Sequence, residues 1–509
     1  MHERTSSVRT SSAPTSSAPT SPAPTTGSPP VGLRDAWLPL AGLSAVFLFE
    51  MLDNSVLNVA LPTIARDLAA STTALQWVSG AYSVAFGGLM LLFGSVADRV
   101  GRRRTMLVGL VLLAVASLAT VFVTSVEQLI VVRALMGVAA AMTTPGSMAL
   151  AFRLFGTEDL RVRALTVIST AGLVGLAVGP TIGGFVLAVA PWQVLLVANV
   201  PIALVAVVGI RAGIAADRPA DLHRDPVDVI GAVLGTASIV GVLVTPTLVV
   251  SGAAGWAGWG AGTATVLVAA GFVVRERTAR HPLLDLQLIA RPLVSSGLAY
   301  KAAAGLAMAA LSYLVTLQLQ FAWGWPPALA AVGTLPQVVV LLASGRFVGP
   351  FVRRVGLDRA ARLSAAAVVV GLAVFALTAR LGYPGVLVAL VLVAAGMRVV
   401  GAVAGNNVLQ GLPADRTSIG AALVDTASEV ATAVGIAATG TILAALVPGS
   451  LGATPWTPDR TAAFDGAVSV AGVAVTIVAA VLVVVGVLRA RTTLANTPAT
   501  TTAQEESDV

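Results

Sequence analysis

The stretch FLFEMLDNSVLNVALP, residues 47–62, sets Glu50, Asp53, Asn54 and Asn58 into a run that is otherwise soluble in hydrocarbon. At the helical turn of about 100° per residue these four side chains fall within an arc of roughly 140°. Two carboxylates and two amides therefore share one helix face, and that face must look into a polar interior. A carboxylate in hydrocarbon beside a like charge holds its proton more tightly than in water. Such a pair can carry a proton in one environment and release it when a cation or water approaches in another. Arg133, inside the apolar segment LIVVRALMG, is a candidate for that cation.

Other charges inside apolar runs are few, and each is a functional candidate because an ionised group at membrane depth is costly. Lys301 is the single lysine in a chain with thirty arginines. It either joins the proton chemistry or snorkels from a helix end to the interface. Arg398 lies in a later apolar run. Asp425 and Glu429 stand at i, i+4 with Ser428 and Thr432 on the same side. They either face the interior or occupy a solvated helix end, since their span begins near Ser418.

Several chemistries are excluded. The chain has no cysteine, so it has no disulfide, thiol nucleophile or Cys-ligated metal. His2, His223 and His281 all fall outside the apolar runs, and neither a metal site nor a cofactor is expected. A membrane-embedded transferase would need clustered aspartates or a catalytic His or Cys beside the bilayer, and the sequence offers neither. The chain is not expected to be an enzyme; a proton gradient is the expected source of energy.

The elements that position these residues follow from hydropathy. Of 509 residues 56% are hydrophobic and 11% charged, with mean hydropathy +0.89. Apolar runs long enough to cross a bilayer, about 20 residues each, recur near 36–59, 74–96, 106–124, 128–150, 164–190, 193–213, 229–251, 259–275, 295–320, 328–350, 361–380, 385–408, 418–446 and 466–489. Fourteen spans put both ends of the chain on one side. Arginines in or near one set of loops number 22, whereas the other set holds Arg66, Arg380 and Arg460. The positive-inside rule then places both termini in the cytoplasm. The isoelectric point near 10.8 reflects this topology, and no nucleic-acid partner is needed to explain it. Residues 1–34, with SSAPTSSAPTSPAPTT, and 492–509 read as disordered tails.

The chain repeats itself. GSVADRVGRRR, from Gly94, follows the second span, and GPFVRRVGLDR, from Gly349, follows the tenth. Residues 35–213 and 281–491 then form two six-helix bundles, with 214–280 an inserted helix pair. Repeated bundles around a midplane site are a common plan of secondary transporters.

GSVADRVGRRRTML resembles the signature loop of the major facilitator superfamily, with Gly94, Asp98, Arg99, Gly101 and Arg102 at the motif positions. Physically, Asp98 could hold Arg99, the basic cluster or a neighbouring helix N-terminus as a cytoplasmic latch. AGLVGLAVGPTIGG, 171–184, resembles the Gly-Pro motif of helix five in antiporters. Its Gly175, Gly179 and Gly183 line one face, Gly184 follows, and Pro180 frees a carbonyl and bends the helix. LDNSVLNVALP, LIVVRALMG and NVPIAL, in spans one, four and six, are similar to motifs of the fourteen-helix drug:proton antiporters within that superfamily. The resemblance runs from about Trp37 to Arg491. Met136 departs from it, standing where the family commonly has Gln, and PWQV at 191–194 lacks the usual Trp-Arg-Trp.

The resemblance implies an all-α polytopic protein of the major facilitator fold. It further implies a proton-coupled exporter of an amphiphilic drug or antibiotic, working by alternating access as a monomer in the cytoplasmic membrane. Glu50, Asp53, Arg133, Lys301, Arg398, Asp425 and Glu429 would then serve proton and substrate coupling, with Asn54 and Asn58 as polar cavity residues. A symporter importing a small organic solute, and a membrane sensor without flux, are the alternatives that residue types leave open.

Overall fold

The computed structural model describes residues 32–495, apart from 156, 218–221, 223–227, 251–254, 281, 283–284, 414–416, 448–450 and 452–455. The expected tails therefore lie almost wholly outside the described residues. What is described is helical, with no strand among it.

The first part of the chain runs through α1 (Trp37–Asp67), α2 (Thr72–Val100), α3 (Arg102–Ala119), α4 (Val126–Leu154), α5 (Glu158–Val189), the short α6 (Gln193–Val197) and α7 (Asn199–Gly213). Then come α8 (Val229–Val250) and α9 (Gly255–Thr278). The short α10 (Leu286–Ala290) leads into α11 (Pro292–Leu317), α12 (Pro327–Ala343), α13 (Gly345–Val355), α14 (Leu357–Thr378), α15 (Tyr383–Gly411), α16 (Thr417–Leu446) and α17 (Pro458–Ala495). Among the described residues twelve helical segments are long and apolar enough to cross a membrane, and the count rises to 14 when each of two bent pairs is taken as one span. α6 and α7 make one span between them.

The two bends occupy matching places. α2 turns by 52° between Met90 and Leu92, and the chain turns by 58° between α12 and α13. Each bend leads into one copy of the repeated basic loop. The packing repeats as well. In the first bundle α1 packs on α5 and α7, α4 on α2 and α3, and α3 on α7. In the second α11 packs on α16 and α17, α15 on α12 and α14, and α14 on α17. The bundles meet through α5 on α12 and α16 on α2, the same pairing with the copies exchanged.

At the arginine-poor end the join is closed. Gln320 donates from Nε2 to the Val59 carbonyl at 3.0 Å, and Thr441 Oγ1 stands 3.4 Å from Gln76 Oε1. Gln320 lies in a π-helical turn, Gln318–Ala322, that ends the α11 span. A turn of this kind re-aims side chains and marks functional sites. Pro62 does not stop α1, which continues to Asp67.

Small residues set the helix spacing. A close approach to backbone in the first bundle is at Gly137, where a Cβ would stand 2.4 Å from the Tyr82 carbonyl oxygen and 3.0 Å from Ala85 Cβ. α2 and α4 thus touch backbone to backbone one turn from Arg133. Gly137→Ala is expected to push them apart and to destabilise the bundle by about 2 kcal/mol, the scale of overpacking a tight contact. The check is the apparent melting midpoint of the detergent-solubilised protein; an unchanged midpoint would show that α2 and α4 can separate freely.

Candidate functional site

α1 carries its acids into two separate environments. Asp53 is fully buried in the first bundle, where it forms an ion pair with Arg133 of α4, both side chains being 0% exposed. Asn199, the first residue of α7, donates from Nδ2 to Asp53 Oδ1 at 2.7 Å. Arg133 also donates from Nε to the Val78 carbonyl at 3.3 Å, and its guanidinium carbon lies 4.7 Å from the Tyr82 ring centroid. Its Nη2 has no hydrogen-bond partner among the described residues. Met136 touches the guanidinium with its sulfur, 4.0 Å from Nη1, a weak acceptor where an amide would be a strong one. The attraction in a buried pair of this kind works against a large desolvation cost, and losing either partner strands the other charge.

Glu50, one turn earlier, points elsewhere. Thr144 of α4 donates to its Oε2 at 2.7 Å, and the side chain is buried. Its electrostatic neighbours are Glu429 and Asp425 of α16 and Lys301 of α11, all from the second bundle. Glu429 is 8% exposed, lies beside Ser83 of α2, and has no hydrogen-bond partner for Oε2 among the described residues. Asp425 is half-buried with Lys301 as its cationic neighbour. Gly87 of α2 makes room for this approach, since a Cβ there would lie 3.3 Å from Glu429 Cβ. Three carboxylates and one ammonium thus converge where the bundles meet.

The remaining candidates fall outside that group. Arg398 reaches the bend between α12 and α13, its Nη2 2.8 Å from where a Gly345 Cβ would stand. Asn54 and Asn58 are half-buried, and Ser79 of α2 donates to Asn58 Oδ1 at 3.5 Å.

In the helix-five motif the glycines seat α5 on α1. A Cβ on Gly175 would stand 2.7 Å from the Leu48 carbonyl oxygen, one on Gly179 would fall on Ser55 Oγ, and one on Gly183 would be 3.5 Å from the Val56 carbonyl. Ser55 in turn donates to the Gly175 carbonyl at 3.2 Å. Pro180 lies inside the unbroken α5. Gly184 faces the other bundle, where a Cβ would be 2.6 Å from the Pro327 carbonyl oxygen.

At the basic end Asp98 pairs with Arg102 at 2.6 Å, while Arg99 is exposed and Gly94 makes an ordinary contact with Pro145. The helix N-terminus is held by a residue that sequence reasoning missed. Asp217, just beyond α7, accepts from the Arg103 and Arg104 backbone N–H groups at 3.0 and 3.3 Å and from Arg153 Nη1 at 2.8 Å. Gly101 takes a φ of +114°, and a Cβ there would strike the Asp217 carboxylate. The one available signal was an acid set among loop arginines. Asn199, Thr144 and Ser83 were missed too, because isolated polar residues in apolar helices do not name their partners.

The comparisons with known proteins agree with this architecture. Residues 43–227 match the Major Facilitator Superfamily model. The chain is 31% identical over 438 residues to the multidrug efflux pump LfrA of Mycolicibacterium smegmatis, covering 84% of this chain and 85% of that one. The chain belongs to the major facilitator superfamily. It is also 33% identical over 311 residues to the cephamycin export protein CmcT of Amycolatopsis lactamdurans, covering 59% of this chain and 63% of that protein. Among solved structures, a bacterial homologue of the human lysosomal transporter Spinster, in an inward-facing and unoccupied conformation, aligns with a TM-score of 0.65 at 15% identity. That alignment covers 90% of this chain and 98% of that one, and it shows the shared fold.

In this superfamily member the signature loop therefore has a second acid in its network. Asp217→Asn is expected to cost about 1 kcal/mol, the usual scale for a helix cap with a partly exposed ion pair. Combined with Arg153→Gln, the losses should overlap rather than add. Melting midpoints of the two single variants and the double variant decide it; full additivity would mean that Asp217 acts without Arg153.

Proposed function

We propose that this protein exports an amphiphilic drug or antibiotic across the cytoplasmic membrane in exchange for protons, by alternating access and as a single chain. The observation that carries the reading is the meeting of Glu50 with Glu429, Asp425 and Lys301 across the join between the bundles. Titratable groups shared by two moving bodies couple protonation to their separation, since charge on one alters the cost of approaching the other. The likeness to LfrA, a multidrug efflux pump, and to CmcT, a cephamycin export protein, supports export as the direction.

In the proposed cycle the arginine-rich end faces the cytoplasm, with both termini there. The Gln320 and Gln76 contacts close the opposite end while substrate is loaded. Protonation of Glu50 and Glu429 removes their mutual repulsion and lets the bundles stay together. A substrate entering between them displaces the protons and favours the alternative arrangement. Asp53 reports on this through Arg133, whose Nη2 has no partner among the described residues and so can exchange acids without the side chain leaving its place on α4.

Two measurements test the proposal. Asp53→Asn retains size and hydrogen-bonding capacity but removes the titratable charge. It should lower proton-driven efflux of a cationic dye by at least about tenfold while the protein stays in the membrane; full efflux by a well-expressed variant would remove Asp53 from the mechanism. Lys301→Gln removes a positive charge from beside the acids, which then bind protons more tightly. The pH profile of efflux should move to higher pH, with a gain for a monovalent cationic dye relative to a neutral compound. An unchanged profile with unchanged selectivity would mean that Lys301 takes no part in coupling.

A further inference from the structure

The inserted pair α8 and α9 attaches to the rest of the molecule at one place. α9 packs on α8 and is otherwise lipid-facing, with Trp256, Trp259, Val266, Leu267 and Val274 exposed. α8 packs on α2 of the first bundle and on α16 of the second. It therefore lies over one of the two joins between the bundles. The equivalent join, α5 on α12, has no counterpart of α8 packed across it among the described helices.

The two contacts of α8 differ in kind. Towards α2 it makes a directed bond, Thr236 Oγ1 donating to the Gly88 carbonyl at 2.8 Å, and Gly88 lets the helices approach closely. Towards α16 it makes no hydrogen bond among the described residues: Leu243 packs with Ala433 and Ala437 in an apolar cluster that Val84 of α2 shares, and Ile239 and Val240 stand against it. A small hollow between Trp77 and Val84 of α2, Leu243 of α8, and Ala433 and Ala437 of α16 lies where the three helices meet. A hydrogen bond in hydrocarbon fixes register, because its loss leaves a polar group unpaired. Contacts between alanine and branched aliphatic side chains have no preferred direction, so a shift along the helix exchanges one such contact for another.

We infer that the inserted pair moves with the first bundle and slides over α16, acting as a lateral shutter that covers the α2/α16 join while the bundles rock. The inference rests on the alternating-access reading above. Its functional consequence is an asymmetric transporter. A lipid-dissolved substrate is kept from the covered join and has the α5/α12 side as its lateral way in.

The absence of cysteine makes the test direct. In Gly88→Cys/Thr236→Cys the two Cβ atoms would be 3.6 Å apart, within the roughly 3.5–4.5 Å that a disulfide requires. Oxidation of this pair ties α8 to the first bundle and should leave efflux of a cationic dye close to that of the reduced protein. Leu243→Cys/Ala437→Cys, joined by a short thiol-reactive linker, ties α8 to the second bundle and should lower efflux by about tenfold or more, since one state is locked out. Blockage by the first bridge, or full efflux with the second, overturns the inference. A distance readout keeps this separate from the transport reading. Spin labels at the lipid-facing positions Val266 and Val131 should give one distance whatever the pH, because both would move together. Labels at Val266 and Val470 should give two distances whose weights change with pH. The reverse pattern overturns the shutter even if dye efflux is intact. A single fixed distance for both pairs overturns it together with the alternating-access reading.

Discussion

The scarcity of partners for charge inside a membrane governs this structure. An ionised side chain away from water must be paired, hydrogen-bonded or able to become neutral. Asp53 and Arg133 take the first course, held by Asn199 and the Val78 carbonyl within one bundle. Glu50 takes the second, accepting from Thr144, and it lies near the join with Asp425, Glu429 and Lys301 as its charged neighbours from the other bundle. The first group fixes helices α1, α4 and α7 together. The second has no ion pair among the described residues, and in the proposed cycle its charge state follows the distance between the bundles.

That division was only half legible in the sequence. Composition and apolar run length gave the membrane class and the fourteen spans, because hydrophobic length is a property of each helix alone. The repeat of GSVADRVGRRR and GPFVRRVGLDR suggested two equivalent copies, and α5 packs on α12 as α16 packs on α2. The polar face of α1 was legible as well. What helical spacing could not tell was that Glu50 and Asp53, one turn apart, would turn to different neighbours. That depends on which helices flank α1, and the positions of Thr144 and Asn199 are set by packing over a sequence separation of about ninety residues or more. Asp217 was invisible for the same reason: its partners belong to α3 and α4, and a loop acid carries no periodicity to betray them.

Glycine explains how rigid bundles and movable joins coexist. Gly137, Gly175 and Gly179 bring backbones within the bundle so close that added atoms would collide with carbonyl oxygens or a buried hydroxyl. Such contacts favour rigid-body motion over deformation, since interiors packed at this density do not yield gradually. Between the bundles the contacts are of another sort. Hydrogen bonds from Gln320 to Val59 and from Thr441 to Gln76 stand at the arginine-poor end, and α5 packs on α12 and α2 on α16, with Gly184 close to the Pro327 carbonyl. Breaking one or two hydrogen bonds costs about 1 kcal/mol each, an amount that the charge state of a few carboxylates can supply.

The same comparison bears on why the bends in α2 and between α12 and α13 stand where they do. Both lie towards the arginine-rich end, below the level at which α16 carries Glu429 and α2 carries Gly87. Outside the bends each chain segment belongs to the closed join; inside them it belongs to the basic loops, where Asp98 pairs with Arg102 and α13 has no buried residue. A straight helix would transmit any tilt at one end to the other without loss. A bent one separates the two ends, so that the arginine-poor join can stay closed while the basic ends diverge. Arg398, set against Gly345 at the second bend, is placed where such a change in angle would be felt first. The first bend has no arginine of this kind in the matching position of α4, because Arg133 lies about two turns nearer the arginine-poor end and is committed to Asp53. The two copies have thus kept one geometry and divided its charges: the first holds its cation in a pair, and the second keeps its cation at the bend.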